Sequence, residues 1–471
     1  MRGRQSHGAS GALSVGSALS LALVVAGCWS RGSASHGTTG ASGGEGGSGV
    51  GASTSVTSSG ASSSGAGGML VGPRALPDTS AVTALLVGRL PAALSQAQLE
   101  FVAKHYVGSR KLLKVTSNAI RVHRPAFVVL HEHLAMWQAT EDLEFILDGA
   151  TWGSDYAAVQ SHEPWFWHEL GGKRVQSKAD GKWLMDVSST DFVGYWSDSV
   201  VQQATLGDDD GVVATAGSPL SVSQEGLKPA DPRLSGTGVV VNTLPQLAGL
   251  TFVEAWEKWV TLVTSELAAK SLPLFVEVGS LTEPWDTTND AVASGVVIDI
   301  TASATLSVSP WLSWMNRVLA LTEGHNVILK GRLDSESNVP LRRYLLGIYL
   351  LTKGGHTYLD CQHSSALEWY PEWGVELGAP LESAASIDKL VGVSGLFVRH
   401  FEKGVIYVNP TDGLVPVPLT VPMRRVRPLG GGTVFAMGKE PGALGYEPLD
   451  VVQVEAHSAE LLIPLEGAPA P

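Results

Sequence analysis

The chain has 471 residues, a formal charge of −13 and only two cysteines, Cys28 and Cys361. An acidic chain lacks the clustered Lys and Arg on which nucleic-acid binding draws, so no nucleic-acid partner is expected. Two cysteines also exclude a disulfide framework, which leaves the hydrophobic core to hold the body together.

The N-terminus carries Arg2 and Arg4 and then turns apolar, with no charge from Ala18 to Gly27. A basic start followed by a short apolar run reads as an export signal, too short and isolated for a spanning helix. It ends in Val25-Ala26-Gly27-Cys28, a phrase that resembles the lipobox of bacterial lipoproteins. That resemblance implies cleavage before Cys28 and a diacylglycerol on its thiol; the alternative is an ordinary cleaved signal with a stray cysteine. Trp29 stands where an Asp, in lipoproteins, tends to mean inner-membrane retention, which favours the outer membrane in an organism that has one. From Ser30 to Gly68 the chain is almost all Gly, Ser, Ala and Thr, with too little apolar surface to offset chain entropy, so it reads as a flexible tether. Residues 1–27 are therefore expected to be a lipoprotein signal peptide, and 28–70 the lipidated Cys28 and its tether. The protein would be exported and anchored to the cell envelope through two or more acyl chains. No second membrane segment follows Cys28.

From about Leu76 to Glu382, short β-branched runs alternate with helical patterns. Strand candidates are Phe127–His131, Gly211–Thr215, Leu274–Val278, Gly295–Ile300, Val327–Lys330 and His356–Asp360; Thr251–Leu267 and Leu341–Leu351 have helical spacing. Continuous apolar strands between helices predict a parallel sheet covered on both faces. At this length an α/β fold of the (β/α)8 TIM-like barrel type is expected over 71–390. No GxGxxG or Walker loop follows a strand, which weakens a nucleotide-binding reading, and no cofactor is expected. After about Gly392 come short strands split by turns, Ser394–Arg399, Gly404–Asn409, Leu414–Val421 and Ala459–Pro464. They predict a small C-terminal antiparallel β-sandwich over 391–471.

Several phrases in this body occur in an order that resembles hypothetical glycosyl hydrolase family 15, a family of TIM-barrel proteins. They include Ile120–Leu130, His162-Glu-Pro-Trp-Phe166, Lys182-Trp-Leu-Met-Asp186, Asp209-Asp-Gly-Val-Val213, Gly295-Val-Val-Ile-Asp299, Tyr370-Pro-Glu-Trp373 with Leu377-Gly-Ala-Pro380, and Phe401–Pro410. The resemblance runs from about residue 98 to the C-terminus. It implies a barrel with a C-terminal β-sandwich, and action on a polysaccharide or oligosaccharide.

Glycoside hydrolysis needs two carboxyl groups, and in a barrel they stand at the C-terminal ends of strands. Asp208, Asp209 and Asp210 precede the strand Gly211–Thr215 and so fall on the stability face. The strand ends in Thr215, where the resembled family carries Asp, so a hydroxyl stands in place of that carboxylate. Asp299 closes Gly295–Asp299, where the family tends to have Glu, and Glu277 ends Leu274–Glu277, where Asn is usual. Strands about 4.8 Å apart would bring Glu277 and Asp299 together, with Asp299 as proton donor and Glu277 as nucleophile or base. Alternatively one of them points outward or pairs with a loop Lys; Glu283 and Asp286 are alternates for the acid. Lys330, Arg332 and Asp360 also end strands, where they could orient a sugar or pair with one another. Among fourteen Trp, Trp165, Trp285 and Trp369 are read as loop residues for stacking sugars, the rest as packing. His131-Glu132-His133 raises a metal alternative, but without a third ligand no metal site is expected. Two readings remain: a hydrolase working through Asp299 and Glu277, and a decayed enzyme kept as a carbohydrate binder or structural lipoprotein.

Overall fold

Eight parallel strands form the centre of the molecule in the computed structural model. Residues 73–465 are described apart from 92, 140–145, 148–149, 152–155, 170–171, 178–180, 216–233, 236–239, 242–251, 283–292, 384 and 393–394, all within the unit Met69–Pro471. The strands are β1 (Leu86–Val87), β2 (Gly108–Arg110), β3 (Val128–Leu134), β4 (Gly211–Thr215), β5 (Leu274–Glu277), β6 (Gly295–Asp299), β7 (Asn326–Arg332) and β8 (Thr357–Gln362). They pair in chain order. Closure is made by a parallel bridge between Leu85 and Leu359, where the Leu359 N–H donates to Ala84 O at 3.0 Å. The expected TIM-like barrel is present, with two short strands, β1 and β2, that the sequence reading did not foresee.

Helices α1 (Gln96–His105), α2 (Lys114–Arg121), α3 (Thr190–Gly207), α4 (Phe252–Ala268), α5 (Val308–Thr322) and α6 (Val339–Thr352) wrap the barrel. Among the described residues no helix joins β5 to β6. Large aromatics fill the layer between helices and strands: Trp196, Trp259, Trp311 and Trp314 are all buried, as packing Trp residues should be. Inside the barrel, Leu86, Leu130, Val213, Phe275, Val297, Ile328 and Tyr358 form a separate core. Gly295 belongs to that lumen, since a Cβ there would stand 2.4 Å from the Phe275 ring and 2.7 Å from Asn326 O. Gly295→Ala is therefore expected to cost about 1–3 kcal/mol by overpacking, read as a lower denaturation midpoint. An unchanged midpoint would show that Phe275 can move aside.

The acidic run before β4 is structural. Asp210 accepts from Arg74 N and Nη1, Arg121 Nη2 and Val129 N at 2.8–2.9 Å. Asp208 caps α3 with φ of 57° and pairs with Arg74 and Arg121, while Asp209 lies 3.2 Å from His131 Nδ1. This closes the N-terminal end of the barrel.

The C-terminal module is a five-stranded antiparallel sheet: β9 (Phe397–Phe401), β10 (Gly404–Asn409), β11 (Val415–Gly430), β12 (Gly442–Val454) and β13 (Ser458–Pro464). One face lies on α6 so closely that a Cβ at Gly347 would be 2.8 Å from Ala459 and Val408. On the other face, the long β11–β12 hairpin shifts register between Pro418 and Met423 and closes a small second core with Leu396, Val405, Val417 and Leu462. The sheet thus covers the flank after β8. Ion pairs from α6, Arg342 with Glu372 fully buried and Arg343 with Glu460 partly so, tie the parts together.

Candidate active site

Side chains alternate along a strand, so the positions two residues beyond the lumen core also face the lumen. On this count the C-terminal rim carries Gly88, just past β1, with Glu132, Thr215, Glu277, Asp299, Lys330 and Asp360, and Arg110 of β2 joins them through its ion pairs with Glu132 and Asp360. The registers agree, pairing Asp299 with Lys330 and Lys330 with Asp360, and Val213 with Glu132. Four carboxyl groups and two cations therefore meet at the end of the barrel where barrel enzymes keep their chemistry.

The charges are paired in a definite pattern. Lys330 Nζ donates to Glu277 Oε1 at 2.7 Å, and this carboxylate is the main reason the Lys330 ammonium is held above its ordinary range. Asp299 instead accepts from the Thr301 backbone N–H at 2.9 Å, at the start of a 3-10 turn, and is only partly buried. Both expected acid/base residues thus lie on lumen-facing positions, and Glu277 does pair with a lysine.

Two expected binding residues need correction. Asp360 is only 2% exposed. Its Oδ2 takes Arg110 Nε and Nη2 at 2.9 and 2.7 Å, so it anchors an arginine and is closed to a sugar. Gly88 makes this pairing possible, because a Cβ there would sit 3.0 Å from Asp360 and 3.1 Å from Arg110. Trp369 is not at the mouth. It packs against Phe101, His105, Tyr106 and Trp373, beside a hollow of about 610 Å³ between α1 and the C-terminal module. After β8 the chain turns back along α1, which carries Trp369 away from the rim. Trp165 stays half-buried in the excursion between β3 and α3, stacked on His162 at 4.1 Å. Trp285, Glu283 and Asp286 lie outside the described residues, as does Cys28.

The two histidines of β3 follow the same alternation. His131 and His133 do share a face, but it is the outer one: both are buried, His131 against Asp209 and Gln203 and His133 against Trp196 of α3. Among the described residues no cluster of three or more His, Cys, Asp or Glu could hold a metal. The residue between them, Glu132, is the one that faces the lumen. It pairs with Arg110 Nη1 at 3.0 Å and Lys111 Nζ at 3.2 Å. Arg110, Lys111 and Glu132 are not among the sequence-based candidates, although counting alternate residues onward from Val128 and Leu130 reaches the third.

A family model described as hypothetical glycosyl hydrolase family 15 matches residues 121–405. No curated protein sequence matches the chain. Among solved structures, the chain is similar to an α-amylase from Geobacillus thermoleovorans, at 12% identity and a TM-score of 0.38, over 78% of this chain and 90% of that one. It is similar to a maltogenic α-amylase from Thermotoga neapolitana, at 9% identity and a TM-score of 0.39, over 81% and 99%. A GH36 α-galactosidase from Geobacillus stearothermophilus aligns at 9% identity and a TM-score of 0.41, over 82% and 56%.

Proposed function

The chain belongs to hypothetical glycosyl hydrolase family 15, and from that membership we propose that it hydrolyses glycosidic bonds in an extracellular or envelope polysaccharide. The observation that carries this reading is the asymmetry of two lumen-facing acids, Glu277 beside Lys330 and Asp299 beside a backbone N–H. A carboxylate paired with a lysine suits the nucleophile or base, and one that meets no cation among the described residues suits the proton donor. Asp299 would protonate the glycosidic oxygen as its bond to the anomeric carbon breaks. Glu277 would attack that carbon directly, or take a proton from the water that does. Lys330 would hold Glu277 and offer a donor to a sugar hydroxyl, and Trp165 would stack on a ring.

Thr215 supports a second reading, a decayed enzyme that binds glycan without cutting it. Release of reducing ends from a panel of soluble polysaccharides separates the two. Product formation supports the hydrolase, and binding without product supports the binder.

The site would work outside the cytoplasm, tethered through lipid on Cys28, a reading supported by Val25-Ala-Gly-Cys28 and the Gly/Ser-rich stretch after it. Cys28→Ser is expected to abolish labelling by a radioactive fatty acid and to release the protein from the membrane fraction. A natural chain that never takes up label would end the lipoprotein reading.

A further inference from the structure

Lys111 directly follows β2 with φ of 54°, a left-handed conformation that is costly for any residue with a Cβ. Its ammonium stands 3.2 Å from Glu132 Oε1, while Arg110 holds Oε2 at 3.0 Å. The strained backbone therefore places a cation against one oxygen of a lumen-facing carboxylate whose other oxygen is already fixed. Lys111 and Glu132 both keep part of their side chains exposed, 20% and 12%, whereas Asp360 beneath is sealed. We propose that Lys111 and Glu132 form a clamp at the barrel mouth that recognises two adjacent free hydroxyls of a sugar ring. This rests on the carbohydrate reading and adds a specificity determinant to it.

The chemistry fits a vicinal diol. An ammonium has three donors and a carboxylate about four lone-pair sites, so each can engage a sugar hydroxyl beside its existing contacts. One hydroxyl oxygen accepts from Lys111 Nζ, and the neighbouring hydroxyl donates to Glu132. Arg110, itself pinned by Asp360, keeps the carboxylate from swinging to meet the ligand, so little order must be created on binding.

The test uses the full chain and gels containing soluble starch, xylan or galactomannan, each native or oxidised with periodate, which cleaves vicinal diols. The natural chain is expected to be retarded by at least one native polymer and much less by its oxidised form. Glu132→Gln should weaken retardation roughly tenfold or more, as loss of a charged hydrogen-bond acceptor does. Lys111→Gly is the sharper variant. It relieves the left-handed strain, so its melting temperature should hold or rise, while its retardation falls with that of Glu132→Gln. Retardation unchanged in both variants, or equal on native and oxidised polymer, overturns the clamp. So does a Lys111→Gly chain that loses stability and keeps its retardation, the signature of a purely structural pair. Retardation that depends on the clamp, with no reducing ends released by the natural chain, supports the clamp and overturns only the hydrolase reading. Retardation by no polymer at all overturns the clamp, and hydrolysis is then judged on reducing ends alone.

Discussion

Glu277→Gln and Asp299→Asn are each expected to lower glycan hydrolysis by about 10²–10⁴-fold, the range associated with loss of a positioned acid or base. The two should differ in what accompanies that loss. Glu277→Gln removes the anion from Lys330, but the lysine side chain is 37% exposed, so water screens it and the stability cost should be about 1 kcal/mol or less. Asp299→Asn keeps an amide oxygen for the Thr301 N–H and should leave the fold untouched. Initial rates set beside thermal melts separate chemistry from folding. Activity surviving in either variant at more than about a tenth of the natural rate would remove that residue from the mechanism.

Asp210→Ala should be the most destabilising of the single changes considered. The carboxylate is about 1% exposed and takes four donors: the Arg74 backbone and guanidinium, the Arg121 guanidinium and the Val129 backbone N–H. Its removal strands a buried arginine and a barrel amide without solvent to replace the lost acceptor. A loss of about 3–5 kcal/mol follows, measurable as a lower urea midpoint at constant slope. A loss under about 1 kcal/mol would mean that the N-terminal segment bearing Arg74 can detach without opening the barrel.

The strands that carry the rim acids were legible because they are runs of Val, Ile and Leu bounded by Gly or Pro; β4 and the start of β6 fall where the pattern puts them. β1 and β2 escaped because they have only two and three residues, and Gly108-Ser-Arg110 has no apolar pattern at all. Missing β2 hid Arg110, and without Arg110 nothing in the sequence could show that Asp360 is spoken for. In β3 the two histidines stand out by residue type, whereas only strand parity marks Glu132. On the outer face His131 is held by Asp209 and by Gln203 of α3, and His133 packs edge-on against Trp196. Trp369 was misread for a different reason. It lies soon after β8, but distance along the chain does not tell which way a loop leaves the rim. β12 was overlooked because Gly442, Gly445 and Pro448 interrupt its alternation, and only pairing with β11 holds it extended.

If Glu277 and Asp299 are the acid/base pair, hydrolysis proceeds although Thr215 occupies a rim position without a carboxylate. Thr215 Oγ1 donates to His133 O at 3.2 Å, so the hydroxyl is engaged with the neighbouring strand. The most direct measurement compares the natural chain with Thr215→Asp on the same polysaccharide panel, following release of reducing ends. The natural chain is expected to hydrolyse at least one polymer, and Thr215→Asp to change its rate by no more than about threefold, too small to represent a gained acid or base. An inert natural chain that gains hydrolysis only as Thr215→Asp would contradict a Glu277–Asp299 pair and identify a decayed enzyme.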